Sequence, residues 1–218
     1  MINYKTIIFD LDGTISDPKV GLVNSIIYSC KKFGITEYDI NEFSSFIGPP
    51  LHISYQKRFN LSNDDANLIV KYYREYYEEK GKFENKLYNG ITELLHKLYI
   101  SNKTLAIATS KPTHFTKQIL SHFSIDKYFK VIVGSNLDNT MSDKSEIIAE
   151  VLSQLNPSSL EETIMIGDRY FDIIGAHSNN IKCISVLYGY GSRTEFEKYS
   201  TDYILENVEQ LNDFLIHI

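Results

Sequence analysis

Proline and cysteine are scarce in this sequence, with 5 and 2 residues among 218. Few prolines, 43% hydrophobic and 23% charged residues exclude a collagen-like or disordered chain. Cys30 and Cys183 lie far apart and match no metal-ligand spacing, and a reduced, cytoplasmic setting is the simplest inference. Positive charge is also short. Twenty-two Lys and Arg face 28 Asp and Glu, a net charge of −6. Such a surface repels polyphosphate backbones and anionic lipid, so neither a nucleic-acid polymer nor a membrane is expected as a partner. No apolar run approaches the ~20 residues that span a bilayer. Met1 passes through Asn3 and Lys5 straight into a strand-like run, so no signal peptide is expected. Internal repeats and low-complexity tracts are missing too.

What is present is an alternation of short β-branched runs with amphipathic stretches. The strand-like runs are Thr6-Ile7-Ile8-Phe9, Leu105 to Thr109, Val131-Ile132-Val133, Thr163 to Ile166, Cys183 to Val186 and Tyr203-Ile204-Leu205. Between them, helical periodicity covers Ile91 to Tyr99, His114 to Phe123, Lys144 to Leu155 and Phe171 to Asn179. Near-continuous apolar strands separated by helices predict an α/β fold, a doubly wound parallel sheet covered on both faces. In such sheets chemistry collects beyond the carboxyl ends of the strands.

One segment breaks the alternation. From about Val20 to Lys80 the patterns are helical throughout: Gly21 to Phe33 stopped by Gly34, a short Asn41 to Phe46, Leu51 to Phe59 after Gly48-Pro49-Pro50, and Asn63 to Glu79. This predicts an inserted all-helical domain over residues 17–84, with residues 1–16 and 85–218 forming the α/β core domain. Tyr72, Tyr73, Tyr76 and Tyr77, at helical spacing, read as packing surface.

The first strand ends in Asp10-Leu11-Asp12-Gly13-Thr14. Strand side chains alternate, so Asp10 and Asp12 share one side while Leu11 turns away. Two carboxylates there repel each other, and a cation or a shared proton must relieve them. Gly13 permits a backbone that wraps closely around a small anion. Other candidates are weaker. The six histidines show no metal spacing, Cys30 reads as a buried structural thiol, and Gly189-Tyr190-Gly191 is too short for a nucleotide fingerprint and reads as a loop beside the active site.

Asp10-Leu11-Asp12-Gly13-Thr14 resembles the first motif of the haloacid dehalogenase-like hydrolases, in the two-aspartate form of their phosphatase branch. The remaining motifs follow in order: Thr109-Ser110 ending the second strand, Lys144 beginning a helix, and Gly167-Asp168-Arg169-Tyr170-Phe171-Asp172 as the acidic fourth motif. Ile47-Gly48-Pro49-Pro50-Leu51, Thr109-Ser110-Lys111-Pro112 and Leu187-Tyr188-Gly189-Tyr190-Gly191-Ser192 resemble the phosphoglycolate phosphatase-like subgroup with a helical cap. Asn89 stands where that subgroup commonly has Pro, and Asn179-Asn180 where it often has Gly.

The resemblance implies hydrolysis of a small phosphorylated metabolite through an aspartyl-phosphate: phosphoglycolate, a nucleoside 5′-monophosphate or pyrophosphate. Asp10 would be the nucleophile and Asp12 the general acid and base. Asp10, Asp168 and the Asp12 backbone carbonyl would hold a metal, and all-oxygen donors favour Mg2+ over zinc. Asp172, one helical turn after Asp168, falls outside the direct ligands and orients water there. Thr109 and Lys144 would grip the transferring phosphoryl group, with the Ser110 N–H beside them. Lys111 belongs either to that site or to an ordinary helix start. Gly48 and Pro49 are assigned to the substrate from the cap, while His52 and Arg58 face either substrate or solvent. A phosphosugar mutase and a non-catalytic phosphometabolite-binding regulator are the competing readings. Monomer and homodimer both remain open.

Overall fold

Apolar tetrads build the centre of the sheet. In a computed structural model, which describes residues 3–137 and 140–216, β1 (Thr6–Phe9) is buried along its whole length. The chain divides into two compact units, Met1–Asp17 with Leu87–Ile218, and Pro18–Lys86. In the first unit β1 lies beside β4 (Thr104–Pro112) and β6 (Thr163–Gly167). β5 (Phe129–Ser135) pairs outside β4, while β7 (Lys182–Val186) and β8 (Tyr203–Leu205) extend the other edge. The order is β5-β4-β1-β6-β7-β8, and each of these pairings is parallel.

The period of two in each strand generates two apolar layers. Ile7, Phe9, Leu105, Ile107, Ile164 and Ile166 share one cluster with α4 (Ile91–Ile100), α5 (Thr113–His122) and α9 (Val208–Ile216). Ile8, Ala106, Ala108, Met165 and Cys183 point the other way, onto α6 (Lys144–Leu155) and α7 (Tyr170–Ser178). Both faces are therefore covered, as the unbroken apolar runs require. Cys183 and Cys30 are buried free thiols, and burial pushes the Cys30 thiol up to about 11.

The second unit holds α1 (Lys19–Phe33), a 3-10 turn over Ile40–Phe46, α2 (Leu51–Phe59) and α3 (Asn63–Tyr76). Gly34, with φ of 93°, ends α1, and the Ser62 hydroxyl caps α3 by accepting from the Asp65 N–H. α3 stops three residues short of the expected Glu79, because Tyr77–Gly81 widens into a π turn. Packing explains this: a Cβ on Gly21 would sit 1.8 Å from the Gly81 carbonyl oxygen, so the turn lies backbone to backbone on α1. Tyr73 and Tyr77 are buried there, their rings stacked 5.3 Å apart.

Two helices escape the sequence reading, α8 (Arg193–Lys198) and α9. α8 is too short to show a period. α9 carries Leu211 and Leu215 four apart, a helical spacing in plain view. Two short strands, β2 (Ser16–Asp17) and β3 (Lys86–Leu87), pair with each other.

Candidate active site

The end of β1 is tied to the end of β6, the Asp10 N–H donating to the Ile166 carbonyl at 2.9 Å. Beyond Asp10 the fully buried Leu11 pins the chain to the core. Its carbonyl accepts from the N–H groups of Ile15 and Ser16, closing a tight loop. Gly13 adopts φ of 86°, and a Cβ there would lie 2.1 Å from Asp168 Oδ2. Both the backbone conformation and the neighbour demand glycine.

Four carboxylates and two ammoniums converge on these strand ends. Asp10, Asp168 and Asp172 are buried, with one oxygen from each lying within 4.8 Å of the others. Lys144 Nζ sits 2.9 Å from Asp10 Oδ1 and 2.9 Å from Asp172 Oδ1, and donates to the Ala108 carbonyl at 3.2 Å. The lysine stem has room because residue 175 is glycine: a Cβ there would be 2.9 Å from Lys144 Cγ. Asp172 Oδ2 accepts from the Arg169 N–H at 3.1 Å, capping α7 while its other oxygen meets Lys144.

Asp12 stands apart from the three-aspartate group. Its Oδ2 lies 2.7 Å from Lys111 Nζ, and both side chains are largely buried. The register between β4 and β5 shifts between Thr109 and Pro112, so Ser110 and Lys111 fall in an irregularity that re-aims the strand end. Thr109 is buried, its Oγ1 accepting from the Lys111 N–H at 3.3 Å, and the Ser110 carbonyl accepts from the Ser135 hydroxyl at 2.8 Å. Gly48, Pro49, His52 and Arg58 belong to the helical unit. Gly48 has φ of 104°, and the Arg58 guanidinium pairs with Glu42 of that same unit.

Burial dominates the electrostatics. It pushes the Asp168 carboxyl well above the usual range, helped by the charges of Asp10 and Asp172. Burial also raises Asp172 to about 6 against the pull of Lys144, and raises Asp12 against the pull of Lys111. Burial opposes the charge of Lys144, but Asp10 and Asp172 outweigh it and hold the ammonium above its ordinary pKa. With every group ionised, four carboxylates against two ammoniums leave two negative charges. Asp168 Oδ1 is buried without a hydrogen-bond partner. An all-oxygen donor set, an unpartnered buried oxygen and a residual charge of that size fit a hard divalent cation.

The loop after β7, expected beside the active site, lies against Asp168, and its hydrogen bonds there were not foreseen. The Tyr190 N–H donates to Asp168 Oδ2 at 2.7 Å, and the Tyr188 hydroxyl donates to the Thr14 carbonyl at 3.0 Å. A Cβ on Gly189 would come within 2.4 Å of Asp168 Cβ, so only glycine lets the loop lie so close. The signal was the pair of glycines flanking Tyr190 directly after a strand.

The model of one family, haloacid dehalogenase-like hydrolase, matches residues 7–186. A 5′-nucleotidase of Pseudomonas aeruginosa is 37% identical over 214 residues, 98% of this chain and 96% of that protein. The tyrosine-protein kinase PtkA of Mycobacterium tuberculosis is 33% identical across 96% of this chain and 72% of its own length. Among solved structures, one described as a predicted phosphatase from Clostridium acetobutylicum superposes with a TM-score of 0.92 at 42% identity, covering 99% of both chains. The chain belongs to the haloacid dehalogenase-like hydrolases, and it is an enzyme of their phosphatase type. Among the described residues no helix is long and apolar enough to cross a membrane.

Proposed function

We propose that the protein hydrolyses small phosphate monoesters with magnesium, through a covalent intermediate on Asp10, and that nucleoside 5′-monophosphates are its preferred class. The observation that carries the chemistry is the position of Asp10: at the end of the central strand, within 4.8 Å of Asp168 and Asp172 and ion-paired to Lys144. The 5′-nucleotidase relative supports the substrate class.

In this reading an Asp10 carboxylate oxygen attacks phosphorus while the bond from phosphorus to the leaving oxygen breaks. Asp12 gives its proton to that oxygen. Water then attacks the aspartyl-phosphate, Asp12 takes a proton from it, and inorganic phosphate departs with Asp10 restored. Asp10, Asp168 and the Asp12 carbonyl hold the magnesium, with Asp172 orienting their surroundings. The metal supplies neutralisation of phosphoryl charge. Thr109, the Ser110 N–H and Lys144 hold the phosphoryl oxygens, and Lys144 keeps two buried carboxylates compensated. Lys111 holds Asp12 ready and contributes cationic charge to the phosphate. The helical unit serves as the cap, Gly48 and Pro49 lining the substrate from it.

The test is a screen of phosphorylated metabolites with magnesium, read as kcat/KM at matched concentrations. Nucleoside 5′-monophosphates should lead phosphoglycolate and pyrophosphate. An isomerised phosphosugar without released phosphate would replace the proposal by a mutase. Metabolite binding without turnover anywhere in the panel would replace it by a regulatory binder.

A further inference from the structure

Asp168 is buried, and only one of its carboxylate oxygens is held by a hydrogen bond. Oδ2 accepts from the Tyr190 N–H at 2.7 Å, whereas Oδ1 is unpartnered. That bond is the one hydrogen bond that orients the carboxylate and so bears on which way Oδ1 points. Tyr190 is itself held at the far end of its side chain, where the phenol donates a hydrogen bond to Asp17 Oδ1. Asp17 is the last residue of the sheet unit before the chain passes into the helical unit. The glycines on either side of Tyr190 lie against Asp168 by backbone alone, a Cβ on Gly191 being 2.1 Å from the Asp168 carbonyl oxygen, so the Tyr190 side chain is what this tripeptide offers as an anchor.

We infer that Tyr190 is a positioning residue for the cation site: its hydroxyl, anchored on Asp17, aims its main-chain N–H at Asp168 Oδ2 and thereby presents Oδ1 to the metal. The inference rests on the magnesium reading of the acidic group. It assigns a role to Asp17 that no chemistry at the phosphate requires. By linkage, whatever strengthens the Asp17 contact strengthens cation binding, and bound cation strengthens the Asp17 contact in return.

The test measures magnesium binding directly, by titration calorimetry on the whole protein without substrate, beside the thermal midpoint of each metal-free variant. Tyr190→Phe keeps the main-chain N–H but loses its anchor, and should weaken magnesium about tenfold, the lower end of what removing a partner of a metal ligand costs. Asp17→Ala should do the same. Asp17→Asn, which keeps an acceptor oxygen, should bind nearly as wild type. The double variant Tyr190→Phe with Asp17→Ala should lose no more than either single change, because both break one contact. Wild-type affinity in Tyr190→Phe, or losses that multiply in the double variant, overturns the inference while leaving the magnesium site standing. A wild-type protein that takes up no magnesium overturns both the site and the inference.

Discussion

The two units of the molecule differ sharply in what they bury. Pro18–Lys86 buries two serines whole, Ser25 and Ser29, but no acidic or basic residue. Ser25 donates to the Gly21 carbonyl at 2.6 Å, and Ser29 shares a 2.6 Å hydrogen bond with the Tyr55 hydroxyl. The charged residues of that unit are half-buried or exposed, none of them buried whole. The sheet unit instead buries Asp10, Asp168, Asp172 and Lys144 together at the end of three strands. Burying charge is costly unless it is paired, and here the pairing is incomplete. The helical unit is thus built for stability and shape, whereas the strand ends give up stability to keep charge out of water.

Substitutions can break that contrast, and the largest effect should come from Asp10. Asp10→Asn should reduce phosphate release below detection while circular dichroism shows an intact fold. Near-normal turnover would remove Asp10 from the chemistry. Asp12→Asn should follow, with a loss of about 100–10,000-fold in kcat for a nucleoside monophosphate. The loss should shrink for the phosphorylation step with p-nitrophenyl phosphate, whose leaving group needs little protonation. Rapid quench with labelled substrate should then trap phosphate on Asp10.

Lys144→Ala should cost stability as well as rate. Removing one partner of a buried ion pair typically costs about 3–5 kcal/mol, read as a shift of the urea midpoint. A metal-free protein no less stable than wild type would mean that the two carboxylates are not compensated by this ammonium. In the helical unit the expectation is reversed. Gly21→Ala forces a methyl into the Gly81 carbonyl and should cost about 1–3 kcal/mol, yet leave kcat for p-nitrophenyl phosphate close to wild type.

The smallest effect is one of pH. Asp168 and Asp172 hold protons more tightly folded than unfolded, Asp172 with a pKa of about 6. Raised carboxyl pKa values favour the fold in acid, so the stability of the metal-free protein should fall as pH rises from about 4 through 6. In chelator the thermal midpoint should drop by a few degrees over that window, and Asp168→Asn should flatten the drop. A midpoint that rises instead would show the aspartates to be stabilised as anions.

The sheet was legible because alternation and β-branching are local properties, and Thr6-Ile7-Ile8-Phe9 is unambiguous at that level. The ordered motifs brought Asp10, Thr109 and Asp168 to adjoining strand ends for the same reason, since parallel strands deliver their carboxyl ends to one side, and Lys144 joins them from the start of α6. Pairings were not legible. Nothing in the residues around Asp12 says that Lys111 will reach it, nor that Asp172 will share Lys144 with Asp10, because both depend on side chains meeting across elements. Gly175 is the clearest instance: in sequence it is a weak point inside a helix, and in space it makes room for a lysine stem.

The strand order carries a consequence for how the protein is made. β1 lies at the middle of the sheet, but its partners begin at Thr104 and Thr163. A ribosome adding about 5–20 residues per second leaves Ile7, Ile8 and Phe9 without either neighbour for many seconds. During synthesis the segment that will carry Asp10 is an apolar strand with two open edges, a target for aggregation or for a chaperone. The helical unit, contiguous from Pro18 to Lys86, can close on itself meanwhile. Placing Asp10 at the end of the central strand therefore makes this site one of the last features the new chain completes.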